Sequence, residues 1–233
     1  EMLLSLEEGV KSFSVSFSQT GSMIQDIVTA NVLRKMAKHY AEQIGCGDAM
    51  INLVYHQWMG ALPSNKDYSE SLINTSTVIA SMVRADKIIT KTRDEAFGIP
   101  TRESNAKTVA NTQYTLRMLQ GIPNITDEQE EEIVTSEVMS IMEAVFNDKA
   151  DTLWRKIFNS IKSGIIDVPY SPHIINHNEV VTVRDKNKNI RIIKKGNLPI
   201  SDRCFEYEKA QCDLNKDASS IVNDIIHDIG IMQ

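Results

Sequence analysis

Through residues 10–122 the chain alternates between short strand-like runs and longer segments whose apolar residues recur at helical spacing. In the first run, serines alternate with Phe13, Val15 and Phe17, which predicts a strand with one buried face. The second run, 50–55, is almost continuously apolar, as in a parallel strand buried on both faces. The predicted strands are 12–17, 50–55 and 87–90, and the predicted helices are 23–44, 69–83 and 103–120, the first of them capped by Ser22.

Three consecutive strand–helix units predict an α/β fold with parallel strands and right-handed crossovers. The spacing does not separate an open doubly wound sheet from a (β/α)8 barrel, although no GxGxxG motif supports the nucleotide-binding open sheet. Three strands cannot close into a barrel, and a closed one takes about 250 residues. Since the chain also begins at Glu1 rather than Met, we expect a piece of a longer barrel whose earlier units come from a preceding segment.

The remaining residues, 123–233, predict a small α+β subdomain, so we divide the chain at 122/123. Its predicted elements are helices ending near 146 and 163, strands 179–183 and 190–194, and short helices 202–214 and 218–227. Basic residues of the hairpin are expected to protect a solvated edge strand; they are Lys186, Lys188, Arg191, Lys194 and Lys195. His227, within Ile225-x-His227-x-x-Gly230, is expected to be an ordinary helix residue.

Composition excludes several functions. The net charge is -6 with no basic stripe, which disfavours nucleic acid as a partner. No apolar run reaches the roughly 20 residues that span a bilayer, and the acidic start is unlike a signal peptide. The 3 cysteines lack metal-ligand spacing, as is usual in a reducing compartment. A cytoplasmic protein is therefore expected.

Candidate chemistry lies after the carboxyl ends of the strands, where parallel α/β folds place their sites. Lys91 and Glu95 are four residues apart, so in a helical turn they would share one face and reach a diol or carboxylate. A solvated surface ion pair is the alternative. His56 is a lone histidine, more typical of a structural residue than of a metal ligand, while Trp58 and Met59 suit either a core or a pocket for a flat ring.

Three strings of sequence carry a family resemblance. They are VYHQWMG at 54–60, ITKTRDEAFGIPT at 89–101 and VRD at 183–185. Together they resemble the C-terminal half of the large (epsilon) subunit of glutamate mutase, also called methylaspartate mutase. The first two strings are specific in this order and separation, whereas the third alone would mean little.

The resemblance implies a (β/α)8 barrel of which this chain carries the last three units. It also implies a separate small subunit that covers the barrel mouth and binds adenosylcobalamin, with the cobalt liganded by that partner. The implied reaction is the radical rearrangement of L-glutamate to threo-3-methylaspartate, in which a 5′-deoxyadenosyl radical abstracts a hydrogen from the substrate. The barrel then has to enclose and orient the reacting groups.

Position by position, the resemblance implies that Lys91 and Glu95 hold the adenosyl ribose. The residues implied to pack on the coenzyme are Met59, Gly60, Leu62 and Ile99. Gly60 would allow close approach to a bulky macrocycle. Leu62 stands where the family usually has an aromatic residue, and Ala61 where it has a glycine. The family's substrate-binding arginines belong to earlier strands, so no catalytic or substrate residue is assigned here.

Two alternatives stay open at this point. Lys91 at a strand end suits a Schiff-base aldolase or lyase, and the chain suits a non-catalytic assembly piece. In the favoured interpretation it is an isomerase component, inactive without its missing strands and the small subunit.

Overall fold

The computed structural model describes residues 1–212, which form two compact units, 2–127 and 128–212. The first unit contains three strands among four helices. Its elements are α1 (Met2–Glu7), β1 (Ser12–Ser18), α2 (Met23–Gln43), β2 (Met50–His56), α3 (Lys66–Met82), β3 (Lys87–Ile89), a 3-10 turn (Arg93–Ala96) and α4 (Arg102–Met118). The α/β class is confirmed. Helix α1 was not predicted, because six residues are too few to display a helical period.

The three strands form one parallel sheet in the order β1-β2-β3. Ser18 pairs with His56, and His56 pairs with Ile89, so the three carboxyl ends lie side by side. Within residues 1–212, β1 and β3 each pair with β2 alone. Ser22 caps α2 by accepting a hydrogen bond from the Gln25 N–H, as its position predicts.

One face of this sheet is packed against helices. Val15, Leu53 and Tyr55 are buried there with Ile27 of α2 and Ile79 of α3. The residues of β1 that point to the opposite face include Ser14 and Ser16, which are exposed. The alternation of serine with apolar residues in β1 therefore separates a covered face from a polar one.

The second unit, 128–212, packs helices against a hairpin. Its elements are α5 (Glu128–Phe146), α6 (Leu153–Lys162), β4 (Val181–Arg184), β5 (Ile190–Lys194) and α7 (Asp202–Ala210). The strands β4 and β5 are antiparallel. The predicted helix 218–227 and His227 lie outside the described residues. No helix within residues 1–212 is long and apolar enough to cross a membrane.

The prediction that Arg191 belongs to a solvated, charge-protected edge is wrong. Its side chain is only 3% exposed, because α7 packs against β5 and Glu130 of α5 contacts the guanidinium. There it forms ion pairs with the carboxylates of Glu130, Asp185 and Glu208, at 2.7, 2.9 and 3.1 Å. These four residues, called the Arg191 cluster below, form the polar centre of the second unit.

Candidate functional site

The carboxyl ends of the three strands are tied together beyond the sheet itself. The Gln19 N–H donates to the His56 carbonyl at 3.1 Å, and the Gln57 N–H donates to the Ile89 carbonyl at 3.1 Å. The loops that follow the strands consequently begin at one edge. This is the edge at which parallel α/β folds carry their functional groups.

Lys91 and Glu95 are in direct contact on the loop after β3. The Lys91 Nζ lies 2.8 Å from Glu95 Oε2, and the Thr92 N–H donates to Glu95 Oε1 at 2.9 Å. The 3-10 turn produces this arrangement, since it brings the two side chains to one side of the chain. Their side chains remain 21% and 25% exposed, so both charges are open to a ligand.

The backbone N–H of Lys91 is hydrogen-bonded to the side chain of Gln57, which is completely buried. Gln57 Oε1 accepts from the Lys91 N–H at 2.8 Å, while its Nε2 donates to Thr77 Oγ1 at 3.0 Å and to the Ile73 carbonyl at 3.3 Å. Sequence reasoning assigned Gln57 no role. The available signal was a long polar amide immediately after a buried strand, where an apolar residue would otherwise continue the core.

Two further contacts hold the turn that carries Glu95. Arg93 forms an ion pair with Glu70 of α3 at 3.0 Å, and Lys66 lies 3.8 Å from the Asp94 carboxylate. The turn is therefore fastened to α3 by two ion pairs.

The remaining predicted residues lie on two neighbouring loops. Met59, Gly60 and Leu62 share the loop after β2, and Ile99 lies on the loop after β3. Met59 is 54% and Ile99 97% exposed, while Leu62 is half-buried. Met59 and Ile99 thus expose apolar side chains on loops that begin at the same edge of the sheet as the loop of the ion pair.

Local packing against Trp58 explains why position 60 is a glycine. A Cβ atom at this position would lie 2.9 Å from three atoms of the Trp58 indole, which is itself buried and donates to the Ala61 carbonyl at 2.9 Å. The close approach observed at Gly60 is thus to Trp58. Its approach to a coenzyme stays a prediction.

A buried polar group fixes the loop after β1. Asp26 Oδ1 accepts from the Thr20 N–H at 2.8 Å and from its hydroxyl at 2.7 Å, and the Ser76 hydroxyl donates to Gln19 Oε1.

Burial, followed by the Asp26 carboxylate, raises the pKa of the Tyr55 hydroxyl. This tyrosine is consequently neutral. Among the described residues, no group of three or more His, Cys, Asp or Glu residues is arranged to hold a metal.

The fold and site define an α/β protein with a cation–carboxylate pair at the carboxyl edge of a parallel sheet. The family of the Methylaspartate mutase E chain (MutE) matches residues 1–220. The chain is 34% identical to the glutamate mutase epsilon subunit of Treponema denticola over 215 residues, which cover 91% of this chain and 44% of that protein. It is 33% identical to the epsilon subunit of Escherichia coli O157:H7 over 236 residues, covering 97% of this chain and 49% of that protein.

The chain therefore belongs to the methylaspartate mutase E chain family, as its three sequence strings indicated. It spans less than half the length of these curated relatives.

Proposed function

We propose that this chain is the coenzyme-facing part of an adenosylcobalamin-dependent glutamate mutase, an isomerase that interconverts L-glutamate and threo-3-methylaspartate. The observation that carries the proposal is the Lys91–Glu95 pair, whose side chains are partly exposed at the carboxyl edge of the sheet. In this assignment Lys91 and Glu95 hold the adenosyl ribose. Family membership supports the assignment, because the relatives are named as subunits of this enzyme.

The chemistry of the pair fits a ribose. An ammonium is a donor only and a carboxylate an acceptor only, so together they match two neighbouring hydroxyls, of which one accepts and one donates. The exposed Met59 and Ile99 side chains, with Gly60 and Leu62, would pack on the apolar parts of the coenzyme and exclude water. When bound, the coenzyme supplies the radical chemistry, and this chain's residues orient it.

The remainder of the enzyme has to come from elsewhere. Within residues 1–212, β1 and β3 each have one unpaired edge, and the β1 face carrying Ser14 and Ser16 is uncovered. Both features suit the last three units of a (β/α)8 barrel. We infer that the first barrel half, with the residues that bind L-glutamate, and a small cobalamin-binding subunit that ligates the cobalt are its partners.

The Schiff-base alternative is less well supported by the geometry. A Schiff base requires a neutral lysine with a free lone pair. Lys91 Nζ instead donates to the Glu95 carboxylate at 2.8 Å, so in this structure it is engaged in an ion pair and not free to attack a carbonyl. Borohydride treatment with carbonyl substrates is therefore expected to leave Lys91 unmodified.

Reconstitution tests the proposal. The chain is co-expressed with the preceding barrel half of a curated relative and mixed with a small cobalamin-binding subunit and adenosylcobalamin. We expect a coenzyme-dependent complex in size-exclusion chromatography and a paramagnetic resonance signal on adding L-glutamate. Absence of both would contradict the proposal, and a complex without any signal would favour a non-catalytic assembly role.

Variants sharpen this test. Lys91→Met and Glu95→Gln are each expected to weaken adenosylcobalamin binding by roughly 10- to 100-fold, because each removes a charged hydrogen-bond partner. Lys38→Met is the matched control, since Lys38 is an exposed lysine of α2. Equal affinities for Lys91→Met and Lys38→Met would remove the ribose assignment.

A further inference from the structure

We infer that Gln57 is a positioning residue, which sets the place of the Lys91–Glu95 pair without touching the ligand. The consequence for coenzyme binding rests on the proposed function. The consequence for the backbone at Lys91 does not.

The orientation of the Gln57 amide is determined by its partners. The single hydroxyl proton of Thr77 is directed to the Ile73 carbonyl at 3.0 Å, so Thr77 Oγ1 accepts from Gln57 Nε2. The Ile73 carbonyl also accepts from Nε2, at 3.3 Å. Both neighbours on α3 therefore require the nitrogen, and the amide oxygen faces the Lys91 N–H at 2.8 Å.

This arrangement joins three segments through one side chain. Gln57 begins the loop after β2, its nitrogen is bound to α3, and its oxygen holds the first residue of the site loop after β3. The next amide along, that of Thr92, is held by Glu95 Oε1 at 2.9 Å. Two successive N–H groups are thus fixed by side chains, one from the scaffold and one from the site itself.

Because Gln57 is buried, its hydrogen bonds are difficult to replace. Gln57 is 0% exposed and Thr77 is 0% exposed, so water cannot readily take over their hydrogen bonds. Loss of the Gln57 oxygen would leave the Lys91 N–H without its acceptor and release the start of the turn. Because Lys91 and Glu95 both depend on this turn, a displacement there moves donor and acceptor together, and small misplacements of binding groups have large effects.

The experiment compares Gln57→Leu with Asp86→Ala. Asp86 provides a comparable clamp at the opposite end of β3, where its carboxylate accepts from the Leu53 N–H at 2.7 Å. In the chain alone, hydrogen exchange of the Lys91 amide is expected to accelerate roughly threefold to tenfold in Gln57→Leu relative to the exchange of α2 amides. Asp86→Ala is expected to leave that ratio unchanged. An unchanged ratio in Gln57→Leu would overturn the inference.

A second readout uses the reconstituted assembly with two probes, adenosylcobalamin and methylcobalamin. Gln57→Leu is expected to raise the dissociation constant for adenosylcobalamin at least tenfold and to leave that for methylcobalamin within about twofold. The reason is that only adenosylcobalamin has the adenosyl ribose that Lys91 and Glu95 would bind. A merely structural residue would weaken both equally, and that outcome would overturn positioning. If the unsubstituted assembly bound neither cobalamin, the proposed function would fail while the exchange measurement would still decide the role of Gln57.

A milder substitution guards against loss of folding. Thr77→Val removes one partner of the Gln57 nitrogen and keeps the acceptor for the Lys91 N–H. We expect it to change both readouts in the same direction as Gln57→Leu, by a smaller factor. No change in either readout with Thr77→Val, when Gln57→Leu does not fold, would contradict the inference.

Discussion

The Lys91–Glu95 pair and the Arg191 cluster both join a cation to carboxylates, but they differ in how their charges are shared. The pair consists of one cation and one anion with side chains 21% and 25% exposed. The Arg191 cluster surrounds a cation that is 3% exposed with three carboxylates. The first arrangement leaves bonding capacity for a ligand, whereas in the second the buried charges satisfy one another.

A fourth acid beside Arg191 adds to this contrast. Glu137 of α5 lies near the Arg191 cluster, and its pKa is raised to about 8 by burial and then by the charges of Glu208 and Glu130, against the lowering effect of Arg191. Burial is also the main cause that raises the pKa of Glu208. The buried group around Arg191 therefore has more carboxylates than this arginine can neutralise, and protonation supplies the balance. The charges of the Arg191 cluster therefore stabilise the second unit, whereas those of the Lys91–Glu95 pair remain accessible to a ligand.

The largest expected effect comes from removing the buried cation. Arg191→Met leaves Glu130, Asp185 and Glu208 uncompensated, so we expect a loss of about 3–5 kcal/mol in the free energy of unfolding of residues 128–212. Urea titration followed by hydrogen exchange of α5 and α7 measures it. Arg155→Met is the control, because Arg155 pairs with Asp151 on the surface of α6 and should cost below about 1 kcal/mol. Equal losses would erase the distinction between the two kinds of cluster.

The next effect is a pH dependence confined to the second unit. The pKa of Glu137 is about 8 when folded against 4.5 as the ordinary value, so the folded state binds its proton more tightly. Its stabilising contribution is fully present below about pH 4.5 and is lost as the pH rises through 8. We expect residues 128–212 to lose roughly 2 kcal/mol or more between pH 5 and pH 9.

Glu137→Gln is the variant that isolates this titration, since it removes the ionisable group and keeps the shape. The slope of unfolding free energy against pH should flatten in the variant, and the folded protein should lose the infrared band of a protonated carboxyl at pH 7. An identical slope in both proteins would assign the pH dependence to other groups.

A smaller loss of stability is expected when the packing of the loop after β2 is disturbed. Gly60→Ala places a methyl group 2.9 Å from the Trp58 ring, so the indole must shift at a cost of about 1–3 kcal/mol. In a Trp154→Phe background, which leaves Trp58 as the reporter, emission should move to longer wavelength as the ring becomes hydrated. Unchanged emission and stability would mean that the loop adjusts freely and that Gly60 has another purpose.

The two regions also differ in how far the sequence predicts them. The strands were predictable because alternation in β1 and a continuous apolar run in β2 have a period, and the Lys91–Glu95 contact followed from a spacing of four at a strand end. Gln57 was not predictable, since a single amide has no period and its three partners are distant in sequence.

The Arg191 cluster was missed for a related reason. In β5, Arg191 alternates with Ile190 and Ile192, and the pattern correctly indicates two faces. Which face is covered depends on α5 and α7, whose acids lie 61 and 17 residues away along the chain. Charge composition suggested a solvated edge, but pairing with distant carboxylates made burial possible.

The smallest expected effect concerns the Lys91–Glu95 pair itself. A double-mutant cycle with Lys91→Met and Glu95→Gln should give a coupling of about 0.2–1 kcal/mol in the free energy of unfolding, because solvent screens a pair of this exposure. Added salt should reduce the coupling further. Both substitutions are nevertheless expected to weaken coenzyme binding by roughly tenfold or more. A coupling above about 2 kcal/mol, beyond the usual range of exposed pairs, would mean that the pair holds the fold together as the Arg191 cluster does. Its availability to a ribose would then lose its physical basis.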